Sequence, residues 1–138
     1  MASTINMQDL RHLNLFSKIT RVNTRHFFEY NNTLVFFVPR RLVSKALGEN
    51  AKNLKKMNEI LGKRIKVVSQ PESTKDAKLF IERIVSPVKF NDLEIADKEI
   101  IVNAGRMNKA ALIGREKRRL NEMKKIIKYF FKKDFKIV

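Results

Sequence analysis

The chain of 138 residues carries 30 Lys and Arg against 14 Asp and Glu, a net charge of +16. Such an excess points to a polyanionic partner, nucleic acid or an anionic membrane surface. Hydrophobic residues make up 43% and charged residues 32%, a globular composition. No apolar run approaches the roughly 20 residues of a bilayer span, and the N-terminus lacks a signal pattern, so a cytoplasmic location is expected. Without cysteine there is no disulfide framework or thiolate metal site, and His12 and His26 make a poor metal site, so no metal or cofactor is expected.

Met7, Leu10, Leu13 and Phe16 recur every three residues, which predicts an opening amphipathic helix from Asn6 to Ser17. Residues 20–30 are rich in Thr, Val, Phe and Tyr and read as a strand. Asn31-Asn32 signals a turn, and Thr33 to Val38 reads as a second strand, pairing with the first as a hairpin. Pro39 stops that strand and suits the entry to a helix. Leu42, Val43, Ala46 and Leu47 form one face of a two-turn helix ending at Gly48. Leu54, Met57, Ile60 and Leu61 mark the apolar face of the next helix, closed by Gly62 as its C-cap. Lys63 to Val68 alternates into a third strand.

Gln70-Pro71-Glu72-Ser73 is polar and breaks both periodicities, which makes it a linker between a first domain of residues 1–70 and a second of 74–138. Beyond it the order recurs. Ala77, Phe80, Ile81, Ile84 and Val85 mark a helix that stops before Pro87. Val88 to Ile95 and Glu99 to Val102 read as a hairpin around Asp97-Lys98, followed by a short helix from Arg106 to Ile113. After Gly114 a long helix carries Leu120, Met123, Ile126, Ile127, Phe130 and Phe131 on one side, and Phe135 to Val138 is the final strand.

The recurrence extends to single positions. A shift of 66 places lays Leu34 on Ile100, Arg40 on Arg106, Leu47 on Ile113, Gly48 on Gly114, Leu54 on Leu120, Met57 on Met123 and Leu61 on Ile127, without a gap. One small unit has been duplicated, and the charge is duplicated with it: residues 1–72 and 73–138 each carry +8. A unit of that size hides only roughly 60% of its unfolded surface.

Where two helices meet at a glycine turn, the free N–H donors of the second helix and its positive dipole end converge on one spot, a ready anion site. In the first half this spot is Gly48-Glu49-Asn50-Ala51, with Arg40, Arg41 and Lys45 before it and Lys52, Lys55 and Lys56 after it. In the second it is Gly114-Arg115-Glu116-Lys117, followed by Arg118 and Arg119 and then by Lys124, Lys125 and Lys128. Arg115 to Lys133 holds nine cations and two acids. A plainer reading makes the glycines ordinary helix breaks and the lysines solvated faces. Two instances at one spacing, each with cations opposite the apolar stripe, weigh against it. Phe36, Phe37, Phe130 and Phe131 fall in periodic apolar patterns and read as core rather than as base-stacking surfaces, with Tyr129 and Phe28 open between the two.

The stretches from Ala46 to Ala51 through Gly62 to Val68, and from Leu112 to Lys117 through Phe135 to Val138, resemble a type II KH domain. The tandem resembles the archaeal NusA-like transcription factors over essentially the whole chain. The resemblance implies an α+β fold of two tandem type II KH domains, each a three-stranded sheet covered by helices on one face. It also implies a GxxG loop whose backbone approaches phosphates, and a groove for about four bases against an apolar platform. That groove would run beside Leu54 and Ile65, and beside Leu120 and Phe135. The fourth loop position is Ala51 in one half and Lys117 in the other, so neither loop keeps the second glycine, and each carries an acid, Glu49 or Glu116. A side chain there narrows backbone approach and a carboxylate repels phosphate, which puts more weight on the cationic helix than on the loop itself.

The function expected on these grounds is a non-enzymatic, single-stranded RNA-binding factor of transcription termination or antitermination during elongation. It would act as a monomer without membrane attachment, its two units forming one basic surface, with RNA polymerase as a further partner. An alternative is a degenerate KH module that docks on RNA polymerase or the ribosome. An enzyme is not expected, because there is no P-loop, dinucleotide fingerprint, HExxH or Cys nucleophile. Asp92, Glu94 and Asp97 read as solvated residues around a hairpin. The basic amphipathic helix after Gly114 would suit a membrane surface, but its apolar face is needed to cover the second sheet.

Overall fold

The computed structural model describes residues 7–138, so the expected helix start at Asn6 and the first six residues of the first expected domain lie outside the described residues. The chain is α+β and divides between Gln70 and Pro71 into two units.

The first unit runs α1 (Met7–Thr20), β1 (His26–Tyr30), β2 (Thr33–Val38), α2 (Val43–Leu47), α3 (Lys52–Leu61) and β3 (Arg64–Ser69). Its sheet has the order β1-β2-β3, with β1 antiparallel and β3 parallel to β2. The hairpin turns on Asn31 and Asn32, at φ 51 and 58. A two-residue loop that follows the strand twist needs left-handed backbone at both positions, and Asn tolerates it. A parallel return to β2 needs a crossover, which α2 and α3 supply. Pro39, at φ −55, leads through a short 3-10 turn into α2. Gly62, at φ 68, closes α3 by donating its N–H to the Asn58 carbonyl at 2.7 Å.

Alternate residues of β2 (Leu34, Phe36 and Val38) share one core cluster with Leu13 and Phe16 of α1, Ala46 of α2 and Met57 of α3, so the helices cover one face of the sheet. The Phe36 ring is stacked by Phe16, with centroids 4.3 Å apart, and by Phe27 at 4.9 Å. Such a ring contributes its buried area and the added attraction of offset aromatic faces.

Two segments depart from the sequence reading. The strand expected over 20–30 begins only at His26, because α1 runs on to Thr20. The Thr20 hydroxyl bonds back to the Phe16 carbonyl at 2.7 Å and accepts the Val22 N–H at 3.0 Å. Arg21 turns the chain at φ 63, and Val22 drops into the core. Thr and Val here close a helix and plug a core, which composition alone does not separate from a strand. The strand expected over 88–95 likewise shortens to four residues, since Val88 is still bonded to the Val85 carbonyl at 3.0 Å and the ladder with the next strand opens only at Asp92.

The second unit runs α4 (Ala77–Val85), β4 (Asp92–Ile95), β5 (Glu99–Asn103), α5 (Gly105–Ile113), α6 (Arg118–Phe131) and β6 (Asp134–Ile137), with the same sheet order and the same strand directions. Leu34 and Ile100, Phe36 and Val102, Ala46 and Leu112, and Met57 and Met123 hold equivalent places, and all are buried. Where the first unit pairs a large Phe36 with a small Ala46, the second has Val102 and Leu112, a redistribution of volume that a packed core tolerates. The offset of 66 holds into the last helix and then becomes 70. Thr33 pairs with Arg64, whereas Glu99 pairs with Asp134. The difference is one added turn: α6 has 14 residues and α3 has 10. Lys132, at φ 60, caps the longer helix where Gly62 caps the shorter.

Between the units, Gln70 extends the first ladder by donating its N–H to the Val38 carbonyl at 2.8 Å. Ser73 opens the second unit, its hydroxyl accepting the Lys75 N–H at 3.3 Å. Among the described residues no helix is long and apolar enough to cross a membrane.

Among the described residues, His12 on α1 is buried together with two other polar residues, Thr20 and Thr33, and of the three only His12 can ionise. Its ring meets Phe27 edge-on at 5.5 Å, and its Nδ1 is buried without a hydrogen-bond partner among the described residues. The Gln8 side-chain amide lies 3.3 Å from Nε2, and which of the two donates depends on the ring tautomer. Burial pushes its pKa below the usual histidine value, with Lys63 adding to the effect and Asp9 and Glu29 opposing it. A lowered folded-state pKa means that the unfolded chain binds the proton first, so stability falls as pH drops through the ordinary histidine value. Urea unfolding should therefore show a lower midpoint at about pH 5.5 than at about pH 7.5, and His12→Leu should flatten that difference. Part of the slope will remain, because His26 is lowered by burial and by Arg25 with the same sign. Identical pH dependence in the variant would refute the assignment.

Candidate nucleic-acid interface

The turn from α2 to α3 passes through Gly48 (φ 77, ψ 173), Asn50 (φ 54, ψ 32) and Ala51 (φ 56, ψ 31). The turn from α5 to α6 passes through Gly114 (φ 77, ψ 170), Glu116 (φ 55, ψ 29) and Lys117 (φ 62, ψ 24). The two loops share only their first residue and yet have the same backbone.

Two kinds of positive φ are present. Gly48 and Gly114 combine positive φ with an extended ψ, a region essentially confined to glycine because a Cβ would collide with the backbone. The other four residues are ordinary left-handed, a conformation that L residues adopt at a cost of roughly 1–2 kcal/mol each. The first glycine therefore has no substitute, whereas the fourth position accepts Ala51 or Lys117 and keeps its shape. Loss of the second glycine leaves the loop conformation in place.

A side chain from the following helix locks each loop. Asn53 Nδ2 donates to the Ala46 carbonyl at 3.1 Å and lies 3.4 Å from the Lys45 carbonyl. At the equivalent position Arg119 Nη1 donates to the Ala111 carbonyl at 2.8 Å. Both side chains cross over the glycine. A Cβ on Gly48 would stand 2.9 Å from Asn53 Nδ2, and one on Gly114 would stand 2.8 Å from Arg119 Cγ. Composition marked Arg119 as one more surface cation; the structure makes it half-buried and tied to the end of α5.

The remaining candidate cations stand in solvent. Arg40, Arg41, Lys45, Lys52, Lys55 and Lys56 are exposed in the first unit, as are Arg115, Lys117 and Arg118 in the second. Along α6 the exposed stripe is Arg118, Asn121, Lys124, Lys125 and Lys128, opposite the buried Met123, Ile126 and Ile127. Lys128 lies 3.5 Å from Asp134 with both side chains well exposed, a pairing worth little against solvent. The loops differ in charge. Glu49, Asn50 and Ala51 of the first correspond to Arg115, Glu116 and Lys117 of the second, and both acids are exposed.

The residues expected to line an apolar platform differ in exposure. Leu54, Ile65 and Leu120 are half-buried and retain accessible surface. Phe135 does not: it is 5% exposed, paired in register with Ile100, and belongs to the core. Of the aromatic residues, Phe36 and Phe37 are buried, and Phe130 and Phe131 pack edge-on against Phe80 at 5.2 and 5.6 Å. Tyr129 packs edge-on against Phe130, and Phe28 against Phe37, both half-buried. Among the described residues no group of three His, Cys, Asp or Glu could hold a metal ion.

No protein-family model matches the chain. Over 93 residues it is 28% identical to the probable transcription termination protein NusA of Methanococcus vannielii, a match that covers 67% of this chain and 52% of that protein. The chain thus spans about half the length of the curated relative it matches. The crystal structure of APE1850 matches 96% of this chain and 99% of its own with a TM-score of 0.66 at 22% identity, which shows a shared fold.

The two kinds of positive φ predict opposite responses to substitution. Gly114→Ala should destabilise the protein by about 2 kcal/mol or more, whereas Lys117→Gly should leave stability unchanged within about 0.5 kcal/mol or raise it. Denaturant midpoints of the two variants decide this, and equal losses would show that the backbone at the two positions does not differ as described.

Proposed function

We propose that the chain is a tandem of type II KH-like units that binds single-stranded RNA without catalysing a reaction, as a factor of transcription termination or antitermination during elongation. One observation carries this reading. Twice in the chain, a loop of identical backbone joins two helices and is followed by a helix whose outer face is cationic. The partial match to a protein named for transcription termination supports it.

In this reading the +16 field draws the RNA in, and Lys and Arg side chains neutralise successive phosphates near the two loops. Bases lie against Leu54 and Ile65 in the first unit and against Leu120 in the second, contacts that carry modest sequence preference. The first loop presents Glu49 to the phosphate path, while the second presents Arg115 and Lys117 with Glu116. The second unit therefore supplies the larger share of phosphate contacts. The protein acts in the cytoplasm as a monomer and needs no cofactor.

The exposed Glu49 and Glu116 favour a second reading, a module that docks on RNA polymerase or the ribosome, since a carboxylate at the loop tip opposes phosphate. Binding to single-stranded RNA at several salt concentrations separates the two. Affinity should fall steeply, each neutralised phosphate contributing about 0.7 to the slope of log K against log salt. Lys117→Glu combined with Arg118→Glu should abolish RNA binding and spare association with polymerase, and Lys52→Glu with Lys55→Glu should weaken RNA binding less. Salt-independent affinity, or loss of polymerase association with RNA binding intact, would favour docking.

A further inference from the structure

We propose that Arg119 is a positioning residue rather than a phosphate contact: it holds the loop of the second unit in its binding shape, as Asn53 does in the first. This inference rests on the RNA-binding reading of the same loop.

The two units reach one arrangement with different chemistry. Asn53 and Arg119 stand five residues after their glycines, in the first turn of α3 and of α6, and both donate back to carbonyls at the end of the preceding helix. Those carbonyls are among the last four of their helices, which have no partner within the helix. The bond therefore joins the end of one helix to the start of the next, across the loop. Between the two anchor points lie three residues at positive φ, two of them not glycine, and strain of this kind persists only where the surrounding structure holds it in place. A neutral amide performs this task in one unit and a guanidinium in the other. The common requirement is a donor of the right reach, not a charge.

The packing at the glycines points the same way. Arg119 Cγ, Cβ and backbone nitrogen crowd the place where a Cβ of Gly114 would stand, at 2.8, 3.1 and 3.1 Å, and Asn53 crowds Gly48 in the same manner. The stem of Arg119 is thus laid over the glycine, and its Nη1 is occupied, while Arg115, Lys117 and Arg118 are exposed. The guanidinium is spent on shape, and its neighbours meet the phosphates.

The test is a comparison of Arg119→Ala and Arg119→Asn in the full chain, with two readouts. Arg119→Ala should weaken single-stranded RNA binding about fivefold, because only the fraction of molecules with a formed loop binds, while the slope of log K against log salt stays that of the unsubstituted protein. Arg119→Asn, which restores the bond of the first unit without the charge, should recover most of the loss. A slope about 0.7 shallower in both variants, with no rescue by Asn, would overturn the proposal and make Arg119 a phosphate contact.

The second readout needs no RNA. Three-bond HN–Hα couplings of Glu116 and Lys117 should leave their left-handed values in Arg119→Ala and keep them in Arg119→Asn. Unchanged couplings in both variants would overturn the positioning role even if RNA binding proved real. Absence of RNA binding by the unsubstituted protein would instead sink the functional reading and leave the couplings to decide the role of Arg119. If Arg119→Ala does not fold, Asn53→Ala in the first unit supplies the same comparison through the couplings of Asn50 and Ala51.

Discussion

Twice in this chain a helix must reverse into another helix within four residues, and each reversal starts from a backbone conformation that a Cβ forbids. Gly48 and Gly114 meet that demand, and much of the rest is arranged around them. The residue five places on can cross the glycine because no side chain is in the way. The second helix then leaves at an angle that sets its apolar face on the sheet and its cationic face in solvent. In the first unit Met57 of that helix shares a core cluster with Phe36 of the sheet.

Much of this architecture was legible in the sequence, for physical reasons. Strictly periodic segments, such as Leu54 to Leu61 and Leu120 to Phe131, declared their helices because one face of each has to be apolar. The Asn31-Asn32 turn and the Gly62 cap were legible because few residues accept left-handed backbone. The segments at 20–25 and 88–91 were not, since β-branched and aromatic residues serve equally as core plugs and helix closers, and only tertiary packing decides between them. The binding surface divides in the same way. Charge located the exposed lysines and arginines, but nothing in composition marks Asn53, or separates Arg119 from Arg118. Their difference is a hydrogen bond to a carbonyl eight residues back. A shared place at the fifth position after two matching glycines was the one available signal.

Duplicated units normally diverge where selection is weakest, and here the cores and the loops diverge differently. The cores exchange volume between positions, as Phe36 with Ala46 and Val102 with Leu112 do, while remaining apolar. The loops exchange charge: Glu49-Asn50-Ala51, with one acid and no cation, stands where the second unit has Arg115-Glu116-Lys117, with two cations and one acid, on the same backbone. Backbone conformation is thus the conserved quantity between the copies, and the electrostatic character of each copy is free to change around it.

The extra turn of α6 follows a geometric rule. Four added residues advance a helix by about 400°, which returns its faces to within about 40° of their former direction while lengthening it by about 6 Å. The stripe that covers the sheet and the stripe of cations both keep their orientation through such an insertion. An insertion of two residues would turn the helix roughly half way round and exchange the two. The register of β6 against β5, four residues later than that of β3 against β2, records a permitted step. Whole turns are therefore the natural unit in which this helix can grow or shrink, and with it the reach of its cationic face can be altered without disturbing the loop at its head.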